Sequence, residues 1–351
     1  MKLDTSKKFI TAGEIMLRLT PPNYEKIRVA TSFEASYGGS EANIALSLAN
    51  LGIDSSFFSV VPDNSVGKSA IRMLRSNDVH CSPVILSTPE ETPTHRLGIY
   101  YLETGYGIRP SKVTYDRKHS AFSEYDYSNV NLDELLDGFK WLHMSGITPA
   151  LSSSCADFTL AIMKKAKEMN LIVSFDGNFR STLWTWQQAR DFCTQCLPYV
   201  DVLLGIEPYN LPKKDGSGDV KDGIPLHPDY KQQSKVFDAF VSAYPNIKCI
   251  ARHVRYAHTG SENSLKAFMW YDGETYESKL FTFTILDRVG GGDAFASGLI
   301  YAMIKNYNPD DMINFAVASS VIKHTIRGDG NITDDVKSIK SIMNMSYDIK
   351  R

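Results

Sequence analysis

The feature that most constrains this chain is a repeated change of hydrophobic period. Short runs of β-branched and apolar residues alternate with longer amphipathic stretches along most of its length. "KKFITAGE" reads as an opening strand. "SEANIALSLANLG" reads as a helix, with Ser40 near its N-cap and Gly52 just past its end. "SSFFSVV" is then strand-like and "GKSAIRMLRSN" helical. "KWLHMSG" precedes "CADFTLAIMKKAKEMN", "LIVSFD" precedes "WTWQQARDFCTQCL", and "DVLLG" follows. The chain closes on "GDAFASGLIYAMIK", "PDDMINFAVASSVIKHTI" and "TDDVKSIKSIMNM", all of helical period. Continuously apolar strands separated by helices imply a mostly parallel sheet with helices on both faces.

Two segments break the alternation. "MLRLTPPNYEKIRVATSFEASYG" and "THRLGIYYLETGYGIRPSKVTYDR" are rich in β-branched, aromatic and polar residues with turn signals between. They are expected to form a small β-lid from about residues 14–37 and 93–120, within a single α/β domain spanning 1–351. "KKDGSGDVKDGIPLHPD", residues 213–229, is too polar to bury its backbone and reads as a surface loop.

Composition narrows the partners. Lys and Arg number 38 against 40 Asp and Glu, a net charge of −2, so no basic field recruits nucleic acid or an anionic membrane. No stretch is long and apolar enough to span a bilayer, and the first residues lack the apolar core of a secretory signal. Five cysteines do not form a disulfide framework, and the Cys193/Cys196 pair lacks partners at zinc-ligand spacing. These read as structural thiols in a cytoplasmic protein.

Pro62 to Ser69, P-D-N-S-V-G-K-S, misses a Walker A loop by its first glycine. Proline there has a fixed φ and no N–H where the backbone must curl round a phosphate. An ordinary strand-to-helix turn with a solvated Lys68 is expected instead.

"DRVGGGDAFASGL", Asp287 to Leu299, is the stretch with the most chemical content. Successive glycine N–H groups at a helix N-terminus can converge on a phosphate, aided by the helix dipole. A carboxylate beside that loop repels phosphate, yet suits a hydroxyl whose proton it accepts during attack on phosphorus. Equally, Asp293 could simply cap the helix while the glycines make a tight turn. The stretch alone leaves both readings open.

That stretch resembles the D-T-x-G-A-G-D signature of the ribokinase-like carbohydrate kinases. "YGGSEANIALSLANLG", Tyr37 to Gly52, resembles their N-terminal G-G-x-x-x-N-x-A signature. Two signatures in the expected order are far more specific than either alone. "AGEIMLRLTPP", "VTYDRKHSA", "LHMSGITPAL" and "FDGNFRSTLW" resemble the 2-keto-3-deoxygluconate kinase branch of that family.

The resemblance implies a three-layer α/β/α sandwich with a β-lid, and ATP-dependent phosphorylation of the C6 hydroxyl of a sugar acid. Asp293 would be the base, and Gly290, Gly291 and Gly292 the anion hole. Gly39, Asn43, Tyr100, Tyr115, Arg117, Ile147 and Arg180 would line the sugar-acid pocket. Two guanidinium groups suit a substrate carboxylate, which a neutral hexose lacks. Mg²⁺ would bridge the phosphates, with Glu207 in "EPYNL" a candidate near it, and a monovalent cation such as K⁺ is a further possible cofactor. A homo-oligomer, such as a lid-mediated dimer, would also fit.

Some positions depart from the family pattern. Arg288 stands where threonine is usual and is expected to point to solvent. Gly291 replaces alanine. "IARHVRYAHTGSENSLKAFMW" lacks the G-x-K-G turn that commonly touches nucleotide, and its histidines form no metal-ligand set. Fructose, ribose or the 2-keto-3-deoxygalactonate epimer are alternative acceptors. A non-catalytic sugar-acid sensor would not need Asp293. A dinucleotide-dependent oxidoreductase would need a G-x-G-x-x-G after the first strand, which "GGSEANIAL" does not supply.

Overall fold

Burial on both faces is visible residue by residue in the central strands. All five residues of Trp141–Ser145 are buried, and so are Val202–Leu204. The computed structural model describes residues 8–333 and 335–346, so the charged stretch 1–7 and Asp334 lie outside the described residues. Within them a nine-stranded sheet runs in the order Glu274–Glu277, Glu262–Tyr271, Cys249–Ala257, Val202–Leu204, Ile172–Asp176, Trp141–Ser145, Lys8–Ala12, Asp54–Phe58, with Phe281–Thr284 also pairing Glu262–Tyr271. From Cys249–Ala257 to Asp54–Phe58 every pairing is parallel, and the remaining pairings are antiparallel.

Alternate residues of each strand enter opposite cores. Ile10 and Leu142 join Phe158, Cys193 and Phe237 on one face, beneath the helices Ser153–Glu168, Trp186–Cys196 and Tyr230–Ala243. Phe9 and Trp141 join Ile44, Leu299 and Phe315 on the other, beneath Ser40–Asn50, Gly291–Ile304 and Pro309–Lys323. That is the three-layer α/β/α sandwich. Cys193 and Cys196 are fully buried free thiols, and burial pushes both up from the ordinary thiol range.

A separate four-stranded sheet forms the lid, in the order Glu34–Gly38, Met16–Thr20, Gly98–Glu103, Lys112–Asp116. Gly98–Glu103 alternates buried and half-buried positions, which turns Tyr100 and Leu102 inward. Lys112–Asp116 is exposed throughout and makes the outer edge.

Two local expectations meet the coordinates differently. Asn64, not a phosphate, satisfies the turn of the near-miss loop: its side chain accepts from the Val66 and Gly67 N–H groups, while exposed Lys68 pairs with Asp63. Ser40, expected near the N-cap of its helix, lies directly beside it. Gly39 holds that position with extended backbone, and Ser40 is the first helical residue. Its hydroxyl is drawn away to a carboxylate from the other end of the chain.

Candidate active site

The site collects at the C-terminal ends of the parallel strands, where open α/β sheets leave a crevice. Glu14 follows Lys8–Ala12, Ile147 follows Trp141–Ser145, Arg180 follows Ile172–Asp176, and Glu207 follows Val202–Leu204. The glycine loop enters from the far end of the sequence. Gly290 takes φ +81°, and a side chain there would collide with the Asp329 carbonyl. A Cβ at Gly291 would lie 2.4 Å from the buried His324 ring. At Gly292 the nearest atom to a Cβ is 3.9 Å away, so the protein itself does not require glycine there.

Asp293 lies in the first turn of Gly291–Ile304, whose N-cap receives no side-chain hydrogen bond. The helix-capping alternative is therefore removed. Instead the Asn43 amide donates to Asp293 Oδ2 at 2.7 Å and the Ser40 hydroxyl to Oδ1 at 2.8 Å. Asn178 Nδ2 donates in turn to Ser40 Oγ at 3.1 Å. Burial pushes the Asp293 carboxyl up from the usual carboxylate range, while the Asn43 and Ser40 hydrogen bonds oppose that shift. Nearby Asp176 is pushed up to about 7, first by burial and then by the charge of Asp293.

Around Asp293 one cleft brings together Gly39, Asn43, Tyr100, Tyr115, Arg117, Ile147, Arg180 and Gly290. Their states differ. Arg180 is exposed, with its charge felt by Asp293 and Asp176. Arg117 is buried, and its Nε donates to Glu14 Oε2 at 2.9 Å, with a second contact from its terminal nitrogen to the same oxygen. The cation expected to await a substrate carboxylate is thus already balanced, because Glu14 is equally buried and would otherwise be an unpaired charge. Tyr115 is 37% exposed and faces Tyr100 across the lid. The Tyr100 hydroxyl donates to Asp329 Oδ2.

Several of these partners were not singled out from sequence. Asp329 sits in the turn "RGDGN", whose Gly328 has φ +90°, and a carboxylate in a glycine turn was the available signal. Arg18 on the lid strand bridges Asp329 at 2.7 Å and Asp287 at 2.5 Å. Asp287 also accepts from the N–H groups of Val289 at 3.1 Å and Gly328 at 3.0 Å, which fixes the glycine loop from behind. Glu41 accepts from Ser145 and Thr148, anchoring the turn that carries Ile147.

A second cavity of about 560 Å³ adjoins the cleft across Arg180, Val289, Gly290 and Asp293. Gly291, Gly292, Asp176, Glu207, His253, Arg255 and Arg288 also line it. Arg288, expected in solvent, is half-buried on this wall because the loop turns it back over the cavity. Glu207 is 39% exposed at its side chain, with Lys221 Nζ 4.0 Å away. Lys221 itself is buried, although it belongs to the polar 213–229 segment.

A lidded polar cleft beside a glycine-loop cavity, on a three-layer α/β/α sandwich, defines the class of sugar kinases. The chain belongs to the pfkB family of carbohydrate kinases, whose model matches residues 6–207. It is 29% identical over 323 residues to a 2-dehydro-3-deoxygalactonokinase of Haloferax volcanii, covering 92% of each chain. Similarity to a 2-dehydro-3-deoxygluconokinase of Bacillus subtilis is 26% identity over 332 residues, 94% of this chain and 92% of that one. The crystal structure of 2-dehydro-3-deoxygluconokinase from Thermotoga maritima superposes with a TM-score of 0.87 at 34% identity, over 97% of this chain and 100% of that one.

Proposed function

We propose that this kinase phosphorylates the C6 hydroxyl of 2-keto-3-deoxy-D-gluconate, giving 2-keto-3-deoxy-6-phosphogluconate. The observation that supports the reading most is the meeting of half-buried Asp293, exposed Arg180 and the glycine loop at the junction of two adjoining cavities. Mg²⁺-bound ATP supplies the phosphoryl group and offsets its charge.

Asp293 accepts the proton of the C6 hydroxyl, held in line by Asn43 and Ser40. The N–H groups of Gly290, Gly291 and Gly292 face the charge that develops on the transferring group. Arg180 pairs with the substrate carboxylate, and Tyr115 reaches the sugar acid from the lid. Gly39 and Ile147 shape the wall. Arg117 acts through the Glu14 pair that fixes the lid strand. Among the described residues no cluster of three or more acidic, histidine or cysteine groups could hold a metal. Glu207, whose Oε2 is buried without a hydrogen-bond partner, would be the protein's contribution to holding Mg²⁺, which would offset phosphate charge.

The Haloferax relative favours a second reading, in which the acceptor is the galactonate epimer. An ADP-release assay with both 2-keto-3-deoxy epimers, fructose and ribose tests the proposal. The expected order is gluconate epimer first and neutral sugars far behind. Faster turnover of fructose or ribose would refute the acceptor while leaving the kinase in place.

A further inference from the structure

Two departures from the family signatures meet in space. Arg288 stands in the glycine-loop motif where threonine is usual, and Arg255 lies on the strand Cys249–Ala257 leading to the region that lacks a G-x-K-G turn. Both line the cavity that holds Gly290, Gly291 and Gly292. Arg255 is half-buried, and its Nε is buried without a hydrogen-bond partner. Among the described residues neither guanidinium has an ion-pair partner. Burial, and then the like charge of Arg288, depress Arg255 to about 10.

Two adjacent guanidinium groups without a counter-charge are unfavourable in a folded protein unless something anionic completes them. The other acids on this wall do not serve. Asp176 and Asp293 couple to Arg180, and Glu207 to Lys221 and Arg190. The neighbouring imidazoles do not compete as cations, since burial lowers His253 to about 4 and His324 to about 3. What remains is a pair of planar donors lining the same cavity as the glycine loop. That geometry suits a chain of phosphates, gripped by the loop on one side and by bidentate arginines on the other.

We propose that Arg255 and Arg288 form a clamp for the polyphosphate of the nucleotide, taking over contacts that a G-x-K-G turn would otherwise make. The proposal rests on the kinase reading above for the presence of a nucleoside triphosphate, and on no particular sugar acceptor.

Calorimetric titration of the intact protein with Mg²⁺-bound ATP, and separately with inorganic tripolyphosphate, tests it. Arg288→Ala and Arg255→Met should each weaken both ligands by roughly tenfold or more, as expected for a lost charge-assisted hydrogen bond. The KM for the sugar acid should stay within about twofold. Without ligand, Arg255→Met should unfold at the same temperature as the wild type or higher, because a half-buried charge without an ion-pair partner is removed. Binding of ATP within twofold of wild type in both variants overturns the clamp, as does a wild-type protein blind to tripolyphosphate. Should Arg255→Met fail to fold, half-buried Arg288→Ala decides by the same criteria. Calorimetry needs no acceptor, so an acceptor that proves wrong leaves this result standing.

Discussion

The Asn43 side-chain amide donates to Asp293 Oδ2 at 2.7 Å, joining residues 250 positions apart. With Ser40 on the other oxygen, the carboxylate is oriented, and both hydrogen bonds favour its charged form against the upward push of burial. Asp293→Asn should therefore retain sugar-acid and ATP binding while kcat falls by roughly two orders of magnitude or more. Steady-state kinetics with calorimetry checks this, and near-normal turnover would remove the base assignment.

The same pair carries a pH signature. Loss of the Asn43 amide withdraws a hydrogen bond that favours the charged form, so Asn43→Ala should raise the Asp293 pKa further. A base must be deprotonated to act, and the acid limb of kcat/KM should consequently move to higher pH. Ser40→Ala should move it in the same direction. A pH–rate profile that keeps its acid limb in both variants would separate these residues from the base.

The two cleft arginines should part company when removed. Arg180 is exposed, so Arg180→Ala should leave stability nearly untouched and raise the sugar-acid KM by roughly tenfold or more. Arg117→Ala leaves Glu14 buried and unpaired, which typically costs about 3–5 kcal/mol. Thermal melts and KM values on the two variants decide between the roles, and a melting temperature unchanged in Arg117→Ala would exclude the structural one.

The architecture was legible because both of its rules are local. Parallel strands buried on two faces are mostly apolar, as "DVLLG" is, and covering helices must be amphipathic. The glycine loop and the "GGSEAN" turn are contiguous motifs, so Asp293, Gly39 and Asn43 could be placed from sequence alone. The pairings were not legible. Glu14 and Arg117 are 103 positions apart, and Arg18 and Asp329 are 311. A carboxylate that neutralises an arginine across such a distance leaves no trace in spacing. Ser40 could be set near a helix start, where serine is common, but its bond to Asp293 was not legible, because only the fold delivers that carboxylate to its hydroxyl.

Asp176 ties stability to pH. Its carboxyl is pushed up to about 7 when folded, against an unfolded value near 3.8. The folded state therefore holds a proton that the unfolded chain releases between those values, and stability falls as pH rises through that window. The penalty is complete above the folded pKa and absent below the unfolded one. Asp176→Asn removes the titration, so its melting temperature should decline less between pH 5 and 8 than that of the wild type. Parallel curves would assign the slope to other groups.

Gly292 offers the last test, because the protein gives no reason of its own for a glycine there. A Cβ at Gly291 would press into His324, so Gly291→Ala should cost roughly 1–3 kcal/mol of stability through overpacking. At Gly292 the nearest atom would be 3.9 Å from the new carbon, an ordinary contact. Alanine within a helix is favoured over glycine by roughly 0.5–1 kcal/mol. Gly292→Ala should thus melt no lower than the wild type. Gly292 lines the cavity, so an added methyl group would take up space there beside any phosphate the loop holds. Stability kept and ATP affinity reduced by roughly tenfold or more would show that a ligand, and not the fold, demands the third glycine. Unchanged ATP affinity in this variant would take Gly292 out of the anion hole.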